Sequence, residues 1–339
     1  MRVCPKRYKK VYWLNILMNQ TKIKSQYKCS LHAEILKVCH KMCLKLYDNR
    51  IGPKIFTNYQ RISLIILFLR SKKSLRKFIS EFYESKWCKW LGLKELPTRS
   101  SLHRWIKNFK LSFIRQFNQL ILSDEKPRIM SIDATGIDSW QRSRHYAKRI
   151  NDPNMPYAKA DILIDSETML VHDFVLRMKP RHDVLGAKTV FQRLKHKNQD
   201  ILILGDKGYD SEKLHKLVAC LGNHFYAPVR NKSKKPKGFY RRQARKNGNE
   251  LYHRRSTVES FMHALKSMKP NLKSKLHYMK KREFAWTIIT YNIEKLIKNT
   301  KQLIRLLSSK LIWDTPIKTK CLYSSYFNIV ILYLLIMEL

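Results

Sequence analysis

The segment from Tyr252 to Lys266 places polar residues at helical spacing around Glu259. At roughly 100° per residue, Tyr252 falls about 20° to one side of Glu259, and Arg255 and Lys266 fall about 40° and 20° to the other. One face thus carries an acid, two cations and a phenol, while Val258, Phe261, Ala264, Leu265 and Met268 form an opposite apolar face suited to docking. A carboxylate flanked by cations on a docked helix suits a metal ion and a phosphate. The competing reading is a surface helix on which Arg255 and Glu259 make an ordinary i,i+4 ion pair. Two further carboxylates follow apolar runs: Asp133 after Arg128 to Ile132, and Asp206 after Ile201 to Gly205. If those runs are parallel neighbouring strands, roughly 4.8 Å apart, the two acids meet at one sheet edge, where open α/β sheets place their sites. Glu259 would add a third hard oxygen donor, and such a set suits magnesium or manganese. Two ions about 4 Å apart activate an attacking oxygen and steady a leaving one in in-line phosphoryl displacement. Either Asp alone is as readily a turn or cap residue; the joint pattern is what points to chemistry.

The elements that must position these residues can be placed from periodicity. Arg128 to Asp133 is a short strand ended by Asp133 to Gly136, and Tyr157 to Ile164 and Met169 to Met178 form a hairpin across Asp165 to Thr168. A helix follows from Val184 to Lys195, then a buried strand at 201–204. Asp210 or Ser211 caps a helix reaching about Leu221, and His224 to Val229 is a fifth strand. Residues 230–248 hold nine Lys or Arg and no acid, with Pro236, Gly238 and Gly248, and read as a flexible cationic loop beside the site. Ahead of residue 126 the pattern is helical: Tyr59 to Arg70, Ser74 to Tyr83, and a helix capped by Ser100 or Ser101 that runs through Trp105 to Phe117. With Arg99, Arg104 and Lys107 on the last, this order resembles a helix-turn-helix DNA reader, against simple three-helix packing. A basic segment at 1–57 precedes it, with an amphipathic helix at 31–47. Cys29, His32, Cys39 and Cys43 there can be drawn as a zinc set, but Cys39 and Cys43 lie on the apolar stripe, which favours core packing. Residues 271–307 are helical, with Trp286, Ile288, Ile289 and Ile293 as packing positions.

The chain of 339 residues carries 69 Lys and Arg against 25 Asp and Glu, a formal charge of +44. A folded domain with that imbalance repels itself unless a polyanion is near, so nucleic acid is the leading partner. The 44% hydrophobic content argues against a disordered basic tail, because it can offset chain entropy. Seven cysteines, an odd number without paired spacing, fit a reducing compartment. No apolar run reaches the roughly 18 residues of a spanning helix, and Phe327 to Leu339 is too short. The expectation is a cytoplasmic, nucleoid-associated protein with no membrane partner.

Ile132-Asp133-Ala134-Thr135-Gly136, then Gly205 to Asp210, then Tyr252-x2-Arg255-x3-Glu259-x6-Lys266 resemble the signature regions of DDE transposases from prokaryotic insertion sequences. The last is similar to the Tyr-Arg-Glu-Lys signature of one branch, at all four positions. The resemblance covers about 58–300 and implies a ribonuclease-H-like catalytic domain, in which strands 128–133 and 201–204 are neighbours. The implied fold is α/β: a ribonuclease-H-like mixed five-stranded sheet flanked by helices, with an N-terminal all-α domain. The expected organisation is a basic helical segment at 1–57, a helix-turn-helix-like domain at 58–125, the catalytic domain at 126–300 and a tail at 301–339. By position, Asp133, Asp206 and Glu259 are the implied catalytic metal ligands, holding two magnesium ions for which manganese would substitute. Arg255, Lys266, Tyr252 and Lys207 would contact DNA, and Trp140 and Ser143 to Arg149 would line its path. Implied partners are the terminal inverted repeats, target DNA and a second copy of the chain or a larger complex. The implied reaction releases 3′-hydroxyl ends by hydrolysis and joins them to target DNA. Glu259 follows Asp206 by only 53 positions, leaving little room for the large β insertion some relatives carry. The alternatives are a catalytically inactive or repurposed DNA-binding protein, and a ribonuclease-H-like nuclease without strand transfer.

Overall fold

A computed structural model describes residues 31–48, 54–138, 157–179, 181–194, 199–230, 236–247, 249–268, 272 and 274–314. Trp140, Ser143 to Arg149, Cys29 and the apolar stretch at 327–339 lie outside them. The chain divides into two compact units, Met1–Lys295 and Leu296–Leu339; of the second, residues 296–314 are described and are helical.

The first unit opens with helices. α1 (Leu31–Lys41) buries Leu31, Ile35, Leu36, Val38 and Cys39. It stops sooner than its apolar spacing predicts: Cys43 turns left-handed at φ 50° and lies exposed, so only Cys39 of the pair packs in the core. α2 (Asn58–Ser71) begins at a capping box in which the Gln60 N–H donates to Thr57 Oγ1 and the Thr57 N–H donates to Gln60 Oε1. It ends at Lys72, φ 56°, whose ammonium donates to the Ser267 carbonyl at 2.9 Å. α3 (Leu75–Phe82) starts from the expected Ser74 cap. After the short α4 (Trp87–Trp90), α5 (Arg99–Asn108) is capped by Thr98 rather than by Ser100 or Ser101. It does not run on to Phe117, because Phe109 adopts an extended conformation at ψ 113° and a new helix, α6 (Leu111–Ile121), begins.

Five strands form one sheet: β1 (Ile129–Asp138), β2 (Tyr157–Asp165), β3 (Val171–Arg177), β4 (Leu202–Gly205) and β5 (His224–Tyr226), in the order β3-β2-β1-β4-β5. β1, β2 and β3 pair antiparallel, whereas β4 and β5 run parallel to β1. This is the expected mixed five-stranded sheet. Its hairpin closes on Asp165, whose carboxylate accepts from the Glu167 N–H at 2.9 Å and the Thr168 hydroxyl at 2.6 Å.

α7 (Asp183–Gln192) and α8 (Glu212–Ala219) cover one face, where Met130, Ile132, Leu163 and Ile203 join Ala187, Val190, Phe191, Leu214 and Val218 in a single core. The other face receives α10 (Thr257–Ser267) and α11 (His277–Asp314), with Phe284 edge-on to Phe174 at 5.4 Å. Trp286, Ile288, Ile289 and Ile293 of α11 are fully buried, as their spacing predicts. α6 packs on the outer edge of the sheet. There the Asn118 amide donates to the Val171 carbonyl at 2.9 Å, and Asn292 both accepts from the Val171 N–H and donates to its carbonyl. Side chains thus satisfy backbone groups that an edge strand would otherwise leave open.

Candidate active site

The position of Asp133 follows from strand pairing. Met130 and Ile132 point into the core beneath α7 and α8, so by strand alternation Asp133 points to the opposite face, toward α10. The strand does not end there, as sequence spacing had predicted. β1 continues paired with β2 to Asp138, while its parallel ladder with β4 stops at Ile132 opposite Gly205. Asp133 is therefore a mid-strand residue at the end of one ladder only. Asp206 is its counterpart, one residue past Gly205, and caps the 3₁₀ turn Lys207–Tyr209, with Oδ1 accepting from the Lys207 N–H at 2.6 Å. The two acids stand at matching positions on adjacent parallel strands.

The segment bearing Tyr252, Arg255, Glu259 and Lys266 is not one helix. Asn249 Oδ1 accepts from the Leu251 N–H at 2.9 Å and starts a 3₁₀ helix, Glu250–Ser256; α10 begins only at Thr257. At about 120° per residue, Tyr252 and Arg255 eclipse one another at i,i+3, so they still share a side. The predicted apolar face holds, with Val258, Phe261, Met262 and Leu265 buried. Tyr252 leans edge-on against Tyr226 of β5 at 5.5 Å. Lys266 lies exposed in the last turn of α10, about 10 Å along the axis from Glu259.

Arg255 ties the arrangement together. One guanidinium nitrogen lies 3.4 Å from Asp133 Oδ2 and another 2.8 Å from Glu259 Oε1. The i,i+4 pair of the simpler reading is real, and the same side chain also reaches the first aspartate. Burial weighs against the Arg255 charge, but Tyr252, Asp133, Asp206 and Glu259 together hold its pKa above the ordinary value. Burial raises the Asp133 carboxyl above its usual range; the Ala134 N–H at 2.8 Å and Arg255 oppose this, while the charges of Asp206 and Asp183 add to it. A cation is thus held where carboxylates crowd. Glu259 is the most open of the three acids that the sequence groups together: its side chain is 64% exposed, against 26% for Asp133.

A second cationic frame, absent from the sequence reading, braces the turn that carries Asp206. The Arg230 guanidinium donates to the Lys207 carbonyl at 2.8 Å and also to the Gly208 carbonyl. Asp210 does not cap α8; Ser211 occupies that position, and both Asp210 oxygens take Arg241 at 2.6 Å. Burial alone raises the Asp210 carboxyl, but the Arg241 pair and the Arg230 N–H outweigh it and hold its pKa below the usual value. Arg241 belongs to α9 (Phe239–Asn247), a helix within the stretch expected to be a flexible loop. It forms because Glu212 accepts from the Tyr240 and Arg241 N–H groups at 3.2 and 3.1 Å, satisfying its first turn. The spacing of Asp210 and Glu212 after Asp206 was visible, but the long-range partners were not.

Among the described residues, no three carboxylate, imidazole or thiol groups lie close enough together to hold an ion. The donor chemistry nonetheless suits a hard divalent cation: two aspartates stand in register, and Asp133 and Glu259 share one positive group. Arg255 stands between those two acids as a side-chain cation. Also among the described residues, no helix is long and apolar enough to cross a membrane.

Comparison with solved structures gives loose likenesses. A piggyBac transposase synaptic complex with hairpin DNA is 12% identical, covers 88% of this chain and 82% of its own, and has a TM-score of 0.39. A Mos1 mariner paired end complex with Mn is 12% identical over 87% of this chain and 78% of its own, with a TM-score of 0.25. Scores this low establish neither activity nor residue roles. No curated protein matches the chain. At the level of sequence families, residues 124–293 match the family described as "Transposase DDE domain". That match spans half of the chain, from just ahead of β1 into α11, and includes Asp133, Asp206 and Glu259: the chain belongs to the DDE transposase family.

Proposed function

We propose that this protein binds the terminal inverted repeats of an insertion sequence, cleaves DNA there by metal-dependent hydrolysis, and joins the released 3′-hydroxyl ends to target DNA. The branch is the one with the Tyr-Arg-Glu-Lys signature. The observation that carries the reading is the in-register placement of Asp133 and Asp206, with Asp133 and Glu259 bridged by Arg255. Asp133, Asp206 and Glu259 would hold two divalent ions, magnesium or manganese. When bound, these supply Lewis-acid stabilisation of the attacking and leaving oxygens. Arg255 then exchanges its carboxylate partners for a DNA phosphate, a charge-assisted contact its planar fork suits. Tyr252 and Lys207 contact the backbone beside it, and Lys266 does so about two turns beyond Glu259 along α10. The helices ahead of β1 read the element end, and the protein works as a dimer or larger complex that brings two ends together.

The direct test uses Asp133→Asn, Asp206→Asn and Glu259→Gln in cleavage and joining assays on end DNA. Each is expected to abolish both reactions while end binding persists. Cutting at the wild-type rate by any one of them would remove that residue from the proposed ligand set. Inverted repeats flanked by a short target duplication beside the gene would separate a transposase from a nuclease.

A further inference from the structure

A groove of about 520 Å³ lies at the β3 edge of the sheet, with β2 between it and the strand that carries Asp133. The end of β3, α7 and Lys281 of α11 wall it. Lys179, Arg181, Lys188 and Lys281 line it together with Arg177, and among the described residues no acidic one does. Its cations divide into two kinds. Arg177 is already engaged: its guanidinium takes both oxygens of Asp161 at 2.6 and 2.7 Å and donates to the Arg181 and His182 carbonyls at 2.7 and 3.0 Å. It therefore fixes the path of the chain from β3 into α7 and adds little net charge. The nearest acid on α7, Asp183, pairs with Lys159 and Arg177. Among the described residues Lys179, Arg181, Lys188 and Lys281 have no acidic partner, and separate elements bring them together on a scaffold that Arg177 holds in shape. Between them Leu185, 49% exposed, offers an apolar surface.

Several cations spread along a concave surface match a run of phosphates better than a single one, since each phosphate neutralised releases counterions. We infer that this groove seats the sugar-phosphate backbone of a second duplex DNA segment, distinct from the one at the carboxylates. This rests on the reaction proposed above, in which the ends meet a separate target DNA. The groove's place at the β3 edge, two strands out from β1, lets a second segment lie beside the one at the carboxylates.

The experiment compares wild type with two variants. In one, Lys179→Gln, Arg181→Gln, Lys188→Gln and Lys281→Gln are combined; in the other, Leu185→Trp narrows the groove without changing charge. The readouts are the salt dependence of duplex DNA binding by anisotropy, cleavage of saturating short end DNA, and joining into a separate target duplex. The charge variant is expected to lower the log-log salt slope by about 3 to 4, at ~0.9 per phosphate. Both variants are expected to lose at least tenfold in joining while cleavage stays within about twofold. Joining that survives Leu185→Trp but falls in the charge variant would assign these residues to diffuse attraction and overturn the groove, as would unchanged joining in both. Those results leave the carboxylate assignment intact. Full cutting by Asp133→Asn overturns the functional reading instead, and the groove's role with it.

Discussion

Two aspartates on neighbouring strands of the same sheet meet opposite fates. Asp161 on β2 points to the α7 face and is wholly enclosed. Arg177 grips both of its oxygens, and Gly186 of α7 lies so close that a Cβ there would fall 2.1 Å from Asp161 Oδ2. Asp133 on β1 points the other way. It is partly open to solvent, and its cation is shared with Glu259 at a looser 3.4 Å. Burial raises the carboxyl pKa of both, Asp161 to about 6. The difference lies in what each can exchange. Asp161 has a committed partner and no room, so it fixes α7 on the sheet. Asp133 has a looser, shared partner and an opening to solvent, which is what the proposed role as a metal ligand requires.

The comparison can be broken at either end. The largest effect is expected at the open site, where Asp133→Asn or Asp206→Asn should slow cleavage by roughly a thousandfold or more, about 4 kcal/mol, with an unchanged thermal midpoint. At the closed site the reverse is expected. Arg177→Met strands a buried carboxylate and should cost about 3 to 5 kcal/mol in urea unfolding, whereas an undiminished midpoint would show Asp161 to be less enclosed than described. Acidity sharpens the point. A carboxyl whose folded pKa exceeds its unfolded value binds more protons folded than unfolded, so its contribution to stability falls as pH rises. For Asp161 that window runs from its ordinary value near 3.8 to about 6, and Asp161→Asn should flatten the decline of stability across it. Smaller is Arg255→Gln, which removes the shared cation: DNA affinity should fall roughly tenfold, the scale of one charge-assisted hydrogen bond, while the fold persists. The smallest effect belongs to α9, where Arg242→Gln with Arg245→Gln should flatten the salt slope of DNA binding by about 1 to 2. No change there would assign that helix face to solvent.

Much of this arrangement was legible from residue order. The strands around Asp133 and Asp206, the hairpin turn at Asp165 and the apolar face of α10 all rest on local periodicity, which survives folding. The failures share a cause, which is that a distant partner decided the local structure. β2 prolongs β1 past Asp133 and Glu212 turns a run of cations into α9, while Arg241 takes Asp210 and leaves the cap position of α8 to Ser211, the other residue the sequence offered. The break at Phe109 is similar: its ring stacks on Phe113 at 4.9 Å and meets Trp286 edge-on at 5.6 Å. That arrangement depends on a residue far along the chain. The Asp161 and Arg177 pair also went unread, because alternation alone does not reveal which buried acid finds a cation.

The two asparagines at Val171 bear on how the chain assembles. Asn118 precedes the sheet in sequence and Asn292 follows it, and they also bind each other at 2.7 Å. During synthesis the hairpin of β2 and β3 emerges long before Asn292 exists, so its outer edge stays unsealed until nearly the whole first unit has been made. Closure across that span is a slow, long-range event, and the exposed edge is a template for pairing with another chain in the meantime. A fragment begun at residue 126 lacks Asn118 permanently. Such a fragment should fold late and aggregate where the full chain does not, so the sheet and the helices ahead of it behave as one folding unit.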